Sequence, residues 1–523
     1  MTETRPQHPN PERATRLPGF IFSLLPPTAI GVVLLLTSTV PLFAPAWKYD
    51  IKRLFELWLL FAVLLLTAIV PALRRKFFEQ LTRTPRSIAV PLLIAASLGV
   101  FSAWVNATTI LGLAYSAAEV ALLTLLVVGV YAMAAARALG GESFDRIALL
   151  MLTLLGVCVG MQELVGVAAA WASGLEFHPR IALMHFSWPR FYNQIQSWSI
   201  PVIAALPLLF PGKPLARVLC VASLALHWYV VIATGGRGTM LGVVSAIALV
   251  SLLASSGRRV LLRYHATGLV TGVLVYAAVA YGHGLLEPGP SDPNPEQPNV
   301  AGQSVETPST LTSGKFTEPM TGKRVLTSSG RIAMWREAWH ESLESPWLGK
   351  GPMNYACHGP VYRAGHPHSM PVQLMYEWGI PAMVLILIAT LLAGRRLITH
   401  LRQGRSTQAP GRVLTTALAT GVAAAGVHAC LSGVLVMPAS QLTGVLVGGW
   451  LLGSLPIQGD TGRASLMARL LLISAIALTL LLAAFAHREH AHAGLRLEQT
   501  PSMDRLIPRF WQNGKVCALG AEP

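Results

Sequence analysis

Apolar residues fill this chain in long, nearly unbroken blocks, without the strict alternation of a half-buried strand or the three-to-four spacing of a surface helix. A helix crossing lipid needs about 20 mostly apolar residues, because no backbone amide can go unpaired in hydrocarbon. Blocks of that kind lie near Phe20–Phe43, Leu54–Leu73, Ser87–Val105, Leu113–Ala136, Ile147–Trp171, Gln194–Phe210, Leu215–Ala233, Thr239–Ala254 and Val260–Tyr281. After a long polar stretch, Gly282–His368, come Val372–Leu392, Val413–Gly433, Ser440–Leu455 and Met467–Ala486. The pattern predicts an all-α polytopic membrane protein with 12 or 13 transmembrane helices; Met437-Pro438 leaves two short segments as crossings or as a re-entrant pair. The predicted division is residues 1–281 for helices one to nine, 282–370 for an outer loop, 371–486 for the last helices and 487–523 for a tail. Within the loop, 282–327 reads as mobile, since Pro, Ser, Thr and Asn dominate it, and 328–370 as a compact helical lid.

Composition agrees and narrows the class. Of the 523 residues, 53% are hydrophobic and 12% charged, whereas soluble proteins carry about 25% charged residues. An ordinary cytosolic enzyme is excluded. The balance of 40 Lys and Arg against 24 Asp and Glu is +16, which by itself would suit a nucleic-acid partner. Position decides otherwise: Arg74, Arg75, Lys76, Arg83, Arg86, Lys213, Arg217, Arg258, Arg259, Arg263, Arg395, Arg396, Arg402, Arg405 and Arg412 fall in short loops on one side, the cytoplasmic side by the positive-inside rule. No nucleic acid is therefore expected. Lys48, Lys52 and Arg53 dissent, lying on the opposite side. The first block is longer than a signal-peptide core, so it reads as a retained helix kinked at Pro26-Pro27. Cys158, Cys220 and Cys430 fall within blocks as small hydrophobes, and a Cys357–Cys517 disulfide stays open.

Candidate chemistry lies where neither lipid nor a plain loop asks for it. A helix opens at Arg331 behind Ser328 or Ser329 as cap, with Arg331, Trp335 and Trp339 along one side and Arg336 and His340 along another; a helix lying on the membrane surface is the plain alternative. Pro346 ends it, and Gly349 and Gly351 form a turn that lacks the phosphate-loop pattern. His366 and His368 flank Pro367 and cannot share a helix face, so a helical zinc pair is excluded and no metal site is expected. His368 at a helix start favours a neutral imidazole, the form a general base requires, with capping and packing as the alternative. Glu377, nine residues on, suits an arginine partner better than His368. Arg180, Arg190 and Arg237 fall on the outer side, where each alone suits an interfacial anchor. Arg190, Arg237 and Arg331 together suit a pyrophosphate, which guanidinium binds bidentately.

These motifs, in this order, resemble the O-antigen ligase and polymerase superfamily: Gly236-Arg237-Gly238, Gly330-Arg331 with Trp335 and Ala338-Trp339, Pro346 with Gly349 and Gly351, His366-x-His368 and Glu377-x-Gly379. The motifs span Gly235 to Gly379, and the topology covers nearly the whole chain. The family often has Asn after the second histidine, where Ser369 stands here. The resemblance implies a GT-C-like glycosyltransferase of the bacterial inner membrane with a periplasmic active site. It implies a donor, O-antigen on undecaprenyl pyrophosphate, and an acceptor, lipid A-core, joined by inversion without metal or cofactor. Arg237 and Arg331, with Arg190 and Arg336, would hold pyrophosphate; His368, or else His366, would activate the acceptor; Trp335, Gly349, Gly351, Glu377 and Arg180 would support them. The alternatives are an O-antigen polymerase, a protein O-oligosaccharyltransferase and a transporter of polyprenyl-linked glycans. A transporter would carry its charges at mid-membrane depth.

Overall fold

The computed structural model describes residues 11–40, 48–173, 183, 186, 188–253, 257–286, 330–358, 364–403, 410–455, 466–497 and 509–511. They form helices, and no strand occurs among them. In chain order the helices are α1 Pro11–Thr39, α2 Lys48–Ile69, α3 Pro71–Thr82, α4 Arg86–Val105, α5 Ile110–Ala172, α6 Arg190–Ile203, α7 Leu206–Leu209, α8 Pro214–Ala233 and α9 Arg237–Leu253. They continue with α10 Arg258–Leu286, α11 Arg331–Glu344, α12 Tyr355–His358, α13 Met370–Trp378, α14 Ile380–Gln403, α15 Pro410–Ala429, α16 Pro438–Ser454 and α17 Leu466–Leu497. Among the described residues, each apolar block read from the sequence is mainly helical. Seven helices among the described residues are long and apolar enough to cross a membrane, so the chain is a multi-pass, all-α membrane protein.

One of the seven is α5, whose 63 residues would reach about 95 Å if straight. It breaks at Gly141, with φ 56° and ψ −134°, so it is two helices joined at a kink. Arg137 donates to Asp145 across the break at 3.0 Å, and Trp450 Nε1 donates to the same carboxylate at 2.6 Å. α1 and α16 pack along α5, while α8 pairs with α10, α9 with α15, α4 with α14 and α2 with α17. One apolar cluster runs through α1, α2, α5, α6, α8, α15 and α16. The outer faces of α4, α10 and α14 keep Leu93, Trp104, Leu274 and Leu391 exposed, as lipid-facing surfaces require.

Several expectations are refined. α1 runs without interruption through Pro26-Pro27. α2 and α3 meet at 102°, which lays α3 across the bundle end with Arg74, Arg75 and Lys76 on it. The segment 430–437 between α15 and α16 reaches the same end as Tyr49 and His366, as shown by the Tyr49–Val436 hydrogen bond and the packing of Gly433 on His366, so these helices are no short re-entrant pair. Lys52 and Arg53, the dissenters, are interior groups: Lys52 sits 3.6 Å over the Phe186 ring, and buried Arg53 pairs with Glu56 and donates to Gln441 Oε1 at 2.5 Å and to Val436 O at 2.8 Å. Cys158, Cys220 and Cys430 are free thiols. Of the segment read as mobile, residues 282–286 belong to α10, and residues 287–329, with the rest of that segment and the Ser328 and Ser329 caps, lie outside the described residues, as do Arg180, Cys517 and most of the tail. The cap position of α11 belongs to Gly330 at φ 77°, with no side-chain cap.

A Cβ at position 141 would meet nothing within 4 Å, so Gly141→Ala isolates the backbone strain. It should destabilise the protein by about 1–3 kcal/mol, seen as a lower thermal midpoint in detergent with unchanged helicity.

Candidate functional site

The candidate residues gather at one end of the bundle, the end where α2, α5, α6, α9, α11 and α13 begin. Arg190, Arg237 and Arg331 are each the first residue of a helix. Guanidinium groups there oppose the positive end of the helix dipole, an arrangement that an anion would relieve. Each arrives by a different local device. Arg237 follows a tight turn in which Gly235 takes φ 62° and the Gly236 amide bonds Val231 O at 2.8 Å. Arg331 follows left-handed Gly330. Arg190 follows Pro189. The three are near enough that Arg190 and Arg237, after burial itself, lower the pKa of Arg331. Arg336 is exposed and, five residues on, points about 140° away from Arg331 around α11.

His366 and His368 stand edge to face with ring centroids 4.4 Å apart. The backbone N–H of His368 donates to His366 Nδ1 at 3.1 Å, which puts the proton of a neutral His366 on Nε2. That edge of the ring lies on Gly433, where a Cβ would come within 2.6 Å of Nε2. His366 is 2% exposed, and His368 is only partly buried. His368 has φ 54°, a left-handed conformation that a non-glycine residue keeps only when its surroundings insist. Trp335 Nε1 supplies part of that insistence, donating to Pro367 O at 2.8 Å. Burial lowers the His368 pKa to about 4, with the charges of Arg331 and Arg190 adding to the effect. His366 lies well below the usual imidazole value through burial, then His368, Arg509 and Arg331. Both rings are therefore neutral at neutral pH.

The Gly349 turn is a clasp. Lys350 N donates to Tyr376 O at 2.7 Å and Gly351 N to Glu377 O at 3.0 Å, so these amides are spent on the end of α13 and not on a ligand. Gly349 and Gly379 face that joint with φ 65° and 88°, and a Cβ on either would strike backbone within 2.5 Å. Glu377 holds an arginine, and its identity was not legible beforehand. Buried Arg509, from the tail, reaches Glu377 Oε1 at 2.5 Å and Oε2 at 2.8 Å and binds Glu119 through both oxygens at 2.6 Å.

Sequence reasoning also passed over polar groups inside the blocks. His428 Nδ1 lies 2.7 Å from Ser197 Oγ, and its ring packs on Gly238 beside Arg237. Asn193 bonds Thr234 at 2.9 Å and packs on Gly236. The signal was present as a lone histidine and the run Asn193-Gln194-Ile195-Gln196-Ser197 within apolar segments, where polar residues are costly. Among the described residues no three His, Cys, Asp or Glu side chains are grouped to hold a metal ion.

Fold and site define the class: a multi-pass helical membrane protein whose histidine loop faces a cluster of arginines. Residues 222–387, about a third of the chain, match the model of the Wzy_C family, described as O-antigen ligase, which is consistent with the O-antigen ligase and polymerase superfamily. The matched segment contains Arg237, Arg331, the Gly349 clasp, both histidines and Glu377, while Arg190 and Arg509 lie outside it. A search of curated proteins finds no match to the chain. The match supports glycosyl transfer of the ligase or polymerase type, with a polysaccharide-linked lipid as donor.

The low imidazole values carry a sign. In the unfolded chain His368 would protonate near 6.5 and in the fold near 4, so its neutral form adds stability present above pH 6.5 and lost as pH falls toward 4. Arg331→Ala removes one charge that holds the value down. The rate at which diethyl pyrocarbonate modifies the 366–368 peptide, nearly equal at pH 5.5 and 7.5 in the native protein, should begin to fall at a higher pH in this variant than in the native protein, measured as the midpoint of its pH profile.

Proposed function

We propose that this protein is an O-antigen ligase of the bacterial inner membrane, transferring polysaccharide from undecaprenyl pyrophosphate to lipid A-core on the periplasmic face. The observation that carries the reading is the convergence of Arg190, Arg237 and Arg331 beside His368, felt electrostatically by both Arg331 and His368. Guanidinium groups at three helix starts suit a diphosphate, whose charge would relieve their mutual repulsion.

The chemistry follows from that pairing. The acceptor hydroxyl oxygen attacks the anomeric carbon of the donor, and its proton passes to His368. The bond from that carbon to the pyrophosphate oxygen breaks, and undecaprenyl pyrophosphate leaves with its charge held by Arg190, Arg237 and Arg331. Displacement from the opposite face inverts the anomeric centre. His368 suits the base better than His366, whose Nδ1 already accepts a hydrogen bond and whose Nε2 edge is closed by Gly433. A value near 4 is low for a base, and the donor's charge would raise it by offsetting Arg331 and Arg190, making the imidazole more basic once donor is bound. Arg336, exposed on α11, would serve the glycan or lipid headgroups near the pocket.

Deleting the gene should leave core lipopolysaccharide without O-antigen while lipid-linked polymer accumulates; core bearing one repeat would identify a polymerase instead. His368→Ala and Arg331→Ala should each leave the protein in the membrane fraction of cells and abolish transfer by the purified enzyme, and chelator should leave the native rate intact. A fully active His368→Ala enzyme would move the base to His366 or His340.

A further inference from the structure

The tail returns to the site through three residues, Arg509-Phe510-Trp511, which are 1%, 1% and 8% exposed. Its seat is built for it. Arg509 O accepts from Tyr49 Oη, and Phe510 O accepts from Arg53 Nε at 3.1 Å. Phe510 lies edge-on to Tyr115 and under the Arg53 guanidinium. Trp511 Nε1 donates to Tyr115 Oη at 3.2 Å. The Arg509 guanidinium passes beyond this seat: besides Glu119 and Glu377 it donates to Gly365 O at 3.0 Å, the residue before His366. Trp335 holds Pro367 O from the other side. The left-handed backbone at His368 therefore lies within a loop tethered on either side of His366, by Arg509 at residue 365 and Trp335 at residue 367.

We propose that Arg509 is a positioning residue for the histidine loop, holding His366 and His368 in the conformation that presents the base to the arginine pocket. Glu377 and Glu119 orient the guanidinium, and the fork then has one N–H free for the Gly365 carbonyl. A lysine would keep the charge in the same seat and could not span all three acceptors at once. The kinetic part of the proposal rests on His368 as the base; the structural part does not.

The test compares full-length native protein with Arg509→Lys in lipid nanodiscs, by thermal midpoint, by diethyl pyrocarbonate modification of the 366–368 peptide read by mass spectrometry, and by glycan transfer. Expected for Arg509→Lys are a similar midpoint, modification of His366 faster by about fivefold as the loop loosens, and kcat lower by about tenfold with KM for the donor little changed, as misorientation of a base predicts. Trp511→Phe, which loses the Tyr115 hydrogen bond and part of the ring contact with His490 and Phe510 while leaving every Arg509 contact in place, should lower the midpoint and leave modification and kcat at native values. If Arg509→Lys does not fold, Arg509→Gln with Glu119→Gln keeps the net charge of the buried cluster and removes the reach to Gly365; it carries the same expectations. Native modification rate and native kcat in whichever of these folds overturn the proposal. Faster modification in a protein that, native or variant, transfers no glycan upholds the tether and refutes the ligase reading.

Discussion

Three guanidinium groups held beside one another, each at the positive end of a helix, repel one another, and the rest of the structure is arranged to withstand that repulsion. Burial first, and then the charges of Arg190 and Arg237, lower the pKa of Arg331. The apolar bundle keeps the three together: α6 and α9, which start with Arg190 and Arg237, both pack on α15 and on each other. In the proposed function, a bound diphosphate would relieve that repulsion.

Negative charge is also present at this end of the bundle, on Glu119, Glu377 and Glu56. Glu119 and Glu377 are committed to Arg509, and Glu56 to Arg53. Each is buried and paired with one of these two arginines. The Gly349 clasp and the pair at Glu377 meet at the end of α13, so the segment carrying the histidines is fixed at its far end by backbone hydrogen bonds and along its length by side chains. Neutral histidines follow from the same placement, because burial and adjacent cations both disfavour a proton.

The sequence was most informative where lipid imposes one rule. Apolar blocks mapped onto helices because every crossing needs the same length of apolar chain, and the break in α5 was legible as the polar interval between Ala136 and Ile147. The arginines and histidines stood out because charge beside a span is unusual. What stayed hidden depends on contacts across the fold. That Lys52 and Arg53 are packed inside could not be read from loop counting, since a lysine over Phe186 and a buried ion pair leave no local pattern. Arg509 lies 132 residues from Glu377, in a segment whose local composition suggests nothing. His428 was hidden differently: a single polar side chain in an apolar helix reads as noise until Ser197 and Gly238 are seen against it.

The outer surface of α11 and the turn after it leaves Ile332, Trp339, Leu343 and Trp347 exposed by 64%, 50%, 52% and 73%. Tryptophan and aliphatic side chains in such a row, with Arg336 among them, settle at the level of lipid headgroups. In the proposed function, the arginine at the start of the same helix would then stand at the height where a lipid-borne phosphate travels. Donor and acceptor would then meet the protein by moving within a sheet and not through a volume, and their encounter would depend on how densely each is spread in the leaflet and on how freely that leaflet flows.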